Sequence, residues 1–134
     1  MIVSLHVATG AAVGALAPSR RSALAAGALT HFLGDRVPHE DITNRHFELL
    51  SGIATLTALA ERRGVFDTAV FGAVGGSAPD LEHVLPLPRP GGRKLFPSHR
   101  IRGWHRSGGL PDWAQLLAAG VLLGLLLSPR KAGV

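Results

Sequence analysis

The chain has no cysteine, no tyrosine and a single methionine, and charged residues fill only 17% of its 134 positions. Without cysteine there is no disulfide framework, no thiolate metal site and no thiol nucleophile. Any metal ion must therefore rest on imidazole and carboxylate. Aromatic residues reach only 5%, so strand formers are thin. The low charge beside 46% hydrophobic residues excludes a disordered chain, which needs the opposite balance. What the sequence does hold is Ala, Leu and Gly in quantity, which favours helix, together with seven histidines. Its length accommodates one domain with one buried core, so residues 1–134 are expected to form a single helical domain.

The net charge of +5 is distributed unevenly. Residues 1–86 carry eight acids against six arginines, whereas residues 87–106 carry six basic residues and no acid. Twelve of the 14 basic residues are arginine, whose planar fork suits phosphate better than lysine does. The pattern describes a mildly acidic body with one basic loop, which is either a solvated surface or a grip for an anion.

Two apolar runs raise the question of a membrane. Residues 1–17 lack the positive start of a signal peptide and carry His6, so they read as a retained helix. The uncharged run 113–127 is about 15 residues, short of the roughly 20 needed to cross a bilayer. A buried core helix and a membrane-seated helix both remain open for it. Trp113 at one end and Arg130 and Lys131 at the other suit an interfacial anchor.

Periodicity and punctuation place about five helices. The first covers residues 2–16 with Ser4 as an early cap, and Pro18 follows it. The second runs from Ser22 as N-cap through residue 33, and Pro38 then leads into the polar turn His39-Glu40-Asp41. Residues 44–63 form the third, with Phe47, Leu50, Ile53, Leu56 and Leu59 along its apolar face and Gly64 as its stop. The fourth starts near residues 66–67 and ends at residue 74, broken by Gly75-Gly76-Ser77, after which Pro79 opens a short new helix. Residues 85–109 read as a loop long enough to be functional or mobile. The last helix takes Pro111 at its start and reaches residue 127. The expected fold is all-α, a bundle of about five helices with a long Pro/Gly/Arg-rich loop before the last.

The histidines and carboxylates recur at spacings that metal sites use. His31 and Asp35 are four apart on one helix, which puts them on one face with Cβ atoms roughly 5–6 Å apart, a gap one divalent ion bridges. His39 can fold back onto the same ion past Pro38. Asp80 and His83 are three apart just past a helix break. His6 shares a helical face with Gly10, Val13 and Gly14, and His99 and His105 lie in the basic loop. Each has a plain reading: His6 as a core histidine, His31–Asp35 as a surface hydrogen bond, Asp80 as a helix cap. His46 has no ligand partner at a helpful spacing and is set aside. Taken together the balance changes. Several such groups buried without partners would cost several kcal/mol each, whereas a dication makes them mutually favourable.

His6-x-x-x-Gly10, then THFLGDRVPHED (30–41), GGSAPDLEHVLP (75–86) and HRIRGWHRS (99–107) resemble, in that order, the membrane-bound metal-dependent hydrolase family (YdjM-like). That family is related in pattern to the zinc-dependent phospholipase C group and the single-strand-specific zinc nucleases. The likeness covers most of the chain and is most specific around 31–41 and 79–83. It implies His6, His31, Asp35, His39, Asp80 and His83 as metal ligands, with His99 and His105 as further metal or substrate ligands. It implies two or three Zn²⁺ ions, or another divalent metal, with Asp35 shared between two of them. The implied activity is hydrolysis of a phosphoester, phospholipid or nucleotide-like, with metal-activated water as the nucleophile. Arg100, Arg102 and Arg106 would grip the phosphate. Asp41 and Glu82 are the candidate catalytic carboxylates, with Glu40 an open alternative.

The competing expectation is a non-catalytic helical membrane protein whose metal serves only the fold. Nucleic acid is disfavoured as a partner, because the positive charge sits on one Pro/Gly loop with a single interleaved aromatic. The expected partners are a phosphate-containing small molecule or lipid, a membrane surface and, through the apolar last helix, a second copy of the chain. The expected setting is a bacterial-type cytoplasmic membrane, or the cytoplasm at its periphery.

Overall fold

The computed structural model describes residues 1–129, so Arg130 and Lys131 of the expected anchor lie outside the described residues. Five long helices carry the fold: α1 (Val3–Gly14), α2 (Arg20–Gly34), α3 (Arg45–Arg63), α4 (Thr68–Ser77) and, after two one-turn helices α5 (Leu81–Val84) and α6 (Pro97–Arg100), α7 (Asp112–Leu127). Short 3₁₀ turns occupy Ala78–Asp80 and Pro90–Gly92. No strand occurs among the described residues, and the expected all-α bundle of about five helices is the observed one. The expected long loop holds α6 and one of the 3₁₀ turns.

Local chemistry explains where the helices begin. α2 starts earlier than its sequence suggests, because Ser19 and not Ser22 is the cap. Ser19 Oγ accepts from Ser22 N at 3.2 Å while Ser22 Oγ accepts from Ser19 N at 3.0 Å, a reciprocal capping box. Ser4 likewise does not cap α1: Ile2 holds that position and Ser4 is buried in the first turn. Asn44 caps α3 by accepting from Phe47 N at 3.0 Å, and Gly64 ends that helix at φ +89°.

The expected end of α4 is corrected as well. Gly75-Gly76-Ser77 does not break α4, which runs through all three residues. Helix propensity disfavours glycine by about 1 kcal/mol per residue, but here tertiary contact wins. A Cβ on Gly72 would lie 2.2 Å from the Gly10 carbonyl oxygen, and one on Gly76 would lie 2.4 Å from that of His6. A Cβ on Gly27 of α2 would come within 2.0 Å of the Gly72 oxygen. The backbones of α1, α2 and α4 touch directly, and only glycine permits it.

The apolar core forms on both sides of α1. Val7 and Ala11 pack with Leu59 of α3 and Ala69, Val70 and Ala73 of α4. Ile2, Leu5 and Ala8 pack against Ala119 of α7. α7 thus divides the two readings of its sequence: Gln115 and Ala119 face α1, while Trp113, Leu117, Val121 and Leu125 are exposed. Among the described residues no helix is long and apolar enough to cross a membrane.

Candidate metal centre

The glycine contacts between α1, α2 and α4 decide where two histidines lie. With α1 and α2 both seated on α4, the rings of His6 and His31 stack with centroids 3.9 Å apart. His31 Nδ1 donates to the Gly76 carbonyl at 2.7 Å. A carbonyl only accepts, so Nδ1 carries the proton and Nε2 turns to the cluster. Asp35, one helical turn on at the end of α2, is almost fully buried and is the hub. Its Oδ1 lies 3.1 Å from His6 Nε2, and its Oδ2 lies 3.1 Å from His31 Nε2 and 3.4 Å from His99 Nε2.

The loop histidines arrive by separate devices. His99 sits on α6, and its Nδ1 bonds the buried Glu82 carboxylate at 2.6 Å. The other Glu82 oxygen accepts from Leu95 N at 2.7 Å. His99 Nε2 then lies 3.4 Å from both His31 Nε2 and His83 Nε2, and 3.8 Å from Asp80 Oδ1. His39 Nδ1 donates to the Val37 carbonyl at 2.6 Å, leaving Nε2 at 2.9 Å from His105 Nε2 and 3.3 Å from Asp41 Oδ1. The Met1 amine stands between His39 Nε2 and Asp35 Oδ1. Trp104 holds the loop to α2, stacking on Phe32 at 4.2 Å and donating to the Phe32 carbonyl at 2.8 Å. His39 N donates to the Arg106 carbonyl at 3.2 Å, which fixes the adjacent His105.

Burial sets the protonation of the cluster. It pushes His6 down to about 3, and together with the neighbouring His99 charge it pushes His83 down to about 4. It pushes the Asp80 carboxyl up to about 6. Burial also works against ionisation of Asp35, but hydrogen bonds from His31, His6 and His99 outweigh it and hold that carboxyl far below the usual range. For His99 burial is likewise outweighed, by the bonds to Asp35 and Glu82, and its pKa is raised. Among the described residues, the buried side-chain atoms without a hydrogen-bond partner include His6 Nδ1 and Asp80 Oδ2. Such groups are costly unless a ligand completes them.

Among the described residues, four triads have ligand atoms within 4.8 Å of one another and could hold a metal ion: His6–His31–Asp80, His31–Asp35–His99, Asp35–His39–His105 and Asp80–His83–His99. All eight histidines and aspartates singled out as ligands in the sequence are therefore brought together, from five separate segments. Asp41 joins at the rim. Glu82 does not face the centre, since both its oxygens are engaged in holding His99 and Leu95. Glu40 is exposed and outside the cleft, with its backbone N–H tied to the Leu110 carbonyl at 2.9 Å. Arg100 and Arg102 line the cleft above the cluster; Arg106 does not, and contributes its carbonyl instead. His46 is exposed and belongs to none of the triads.

Sequence reasoning missed Gln115. Fully buried, it accepts from Ile2 N at 3.0 Å and donates to the Glu40 carbonyl at 2.7 Å, clamping α1, the His39 turn and α7. Its signal was available: it is the one polar side chain in the run 113–127. The cleft over the cluster measures about 1030 Å³, with Asp35, Asp80, His99 and His105 on its polar side and Leu49, Ile53, Leu56 and Val84 on its apolar side.

Comparison of the chain with family models, with curated proteins and with solved structures finds no match.

Proposed function

We propose that the chain is a zinc-dependent hydrolase of phosphoesters working at the periphery of a membrane, of the kind its motifs resemble. The observation that carries this reading is the orientation of three imidazoles. His31, His39 and His99 each spend Nδ1 on a backbone carbonyl or a carboxylate, which turns the Nε2 atoms of His31 and His99 to Asp35 and Asp80 and that of His39 to the triad it forms with Asp35 and His105. Metal-ligating histidines are typically fixed through the other ring nitrogen in this way. A cation at the centre would take these Nε2 lone pairs as ligands.

The donor set, imidazole and carboxylate alone, suits Zn²⁺. When bound, the ion supplies Lewis-acid stabilisation and an acidified water. The protein's part is positional. Asp35 stands between the His31/His99 side and the His39/His105 side, where a shared carboxylate belongs. Arg100 and Arg102 offer planar donors to a phosphate in the cleft. Asp41, exposed beside His39, is placed to take a proton, and Glu82 keeps His99 in register. The open cleft, with room for a substrate, favours a catalytic over a purely structural ion. The membrane setting is supported by the outward apolar stripe Trp113, Leu117, Val121 and Leu125.

Elemental analysis of purified protein tests the centre. The wild type is expected to hold about two ions per chain, and His31→Ala and Asp80→Ala each to lose at least one; unchanged metal content in both variants removes the site. Hydrolysis of bis(p-nitrophenyl) phosphate with and without chelator tests the chemistry, and rates indifferent to chelator overturn it.

Proton competition gives a further expectation. Burial pushes the Asp80 carboxyl up to about 6, and for His99 the hydrogen bonds to Asp35 and Glu82 outweigh burial and raise its pKa. Both protons must leave before these groups can ligate. Zinc affinity is therefore expected to weaken as pH falls from 7 to 5, by about tenfold per pH unit for each proton displaced. Competition with a chromogenic zinc indicator reads this slope, and Asp80→Asn is expected to make it shallower. A flat profile in the wild type would contradict the assignment of Asp80 and His99.

A further inference from the structure

The basic segment does more than rim the cleft over the His/Asp cluster. A second hollow of about 810 Å³ is lined by Arg89, Arg93, Lys94 and Arg100, together with His99 and Ile101. Lys94, His99, Arg100 and Ile101 also line the first cleft, so the two hollows meet at a histidine of the cluster. No carboxylate lines the second hollow, and among the described residues none of its four cations has a carboxylate partner. Four cations around one concavity repel one another, and the fold holds them there regardless. Glu82 clips the segment at two points, through Leu95 N at 2.7 Å and His99 Nδ1 at 2.6 Å. The chain between Arg89 and Arg93 turns tightly through Gly91 and Gly92 at φ +62° and +72°, which brings the two arginines to the same hollow.

We infer that this hollow is a second phosphate subsite, and that the substrate carries a further phosphate beside the one placed over the metal centre. The inference rests on the reading of the first cleft as the place of the scissile phosphoester. Arg102 and the shared Lys94 and Arg100 already supply the first cleft with cations for one phosphate, so Arg89 and Arg93, which line the second hollow and not the first, are surplus to a monophosphate. Three of the four cations are arginines, which hold phosphate oxygens in pairs. They line a concavity continuous with the metal cleft, which favours a second group on the same molecule over contact with a flat anionic surface. The ligand chemistry is two phosphates on one molecule, whether soluble or borne by a lipid.

The test uses the full chain loaded with zinc. Calorimetry compares methylphosphonate with α,ω-bisphosphonates of increasing methylene count, in the wild type and in Arg89→Gln/Arg93→Gln. At one spacer length the bisphosphonate is expected to bind at least about tenfold tighter than methylphosphonate. The double variant is expected to cut that advantage to about twofold or less, with zinc content and methylphosphonate affinity unchanged. No gain at any spacer length, or a gain that survives in the variant, overturns the subsite while leaving the metal centre standing. Failure of the wild type to take up zinc overturns both readings.

Vesicles of phosphatidylglycerol in phosphatidylcholine form the second arm. Bisphosphonate gain with displacement from vesicles supports a lipid-borne ligand, and gain without vesicle binding supports a soluble one. Vesicle binding through Arg89 and Arg93 with no bisphosphonate gain overturns the subsite and makes the cations a membrane face.

Discussion

Asp35→Asn is expected to empty both sides of the cluster at once, weakening zinc binding by more than about 100-fold, whereas Glu82→Gln weakens it by about 10- to 100-fold. The difference follows from position. Asp35 touches His6 at 3.1 Å, His31 at 3.1 Å and His99 at 3.4 Å, and the Met1 amine that reaches toward His39 lies 3.3 Å from it. Glu82 touches only His99 among the candidate ligands. The substitution at Asp35 is close to isosteric, so volume and helix ending are preserved while the charge and one oxygen acceptor are lost. What remains are imidazoles crowded nitrogen to nitrogen, with Asp80 3.9 Å from His31 and 3.8 Å from His99 and Asp41 3.3 Å from His39, but no carboxylate shared between the two sides. Zinc titration monitored by calorimetry, with circular dichroism to establish that the variant is folded, reads the effect. An Asp35→Asn protein that keeps its full zinc complement would place the ions elsewhere and dismantle the shared-carboxylate arrangement.

Much of this centre was legible because helical spacing is local. His31 and Asp35 at i,i+4 meet on one face wherever the helix goes, and a proline followed by histidine turns the next ligand back. What brought the segments together was written differently. The spacing of Gly10 and Gly14 on α1 matches that of Gly72 and Gly76 on α4, a pattern of small residues four apart that announces close helix crossing. Read one helix at a time, Gly75-Gly76 looks like a break; its meaning exists only against the backbones of α1 and α2. Ser19 lost to Ser22 in the sequence for a similar reason, since the two serines form one reciprocal motif and only geometry tells which is outside the helix. Glu82 was legible as a carboxylate beside a histidine. Its direction was not: it turns away from His83, its neighbour in sequence, and toward His99, 17 residues later.

The glycine interface also carries the largest expected effect on stability. Gly72→Ala is expected to cost about 3 kcal/mol or more, lowering the melting temperature by roughly 10 °C or more. The new Cβ would stand 2.2 Å from the Gly10 carbonyl oxygen and 2.7 Å from Gly14 Cα. Both are backbone atoms, so no rotamer change relieves the clash and α1 must move off α4. Since total stabilities run to only about 5–15 kcal/mol, that is a large fraction of the whole. Gly120→Ala is the matched control. It lies on the exposed face of α7, a Cβ there meets nothing within 4 Å, and the exchange is expected to add about 0.5–1 kcal/mol of helix propensity. Displacing α1 from α4 would also separate His6 from His31, so zinc affinity should fall in the Gly72 variant at temperatures where it is still folded, and stay constant in the Gly120 variant. Thermal melts with and without zinc distinguish the two. If both variants melt alike, the helices do not touch backbone to backbone, and the stacking of His6 on His31 loses its structural cause.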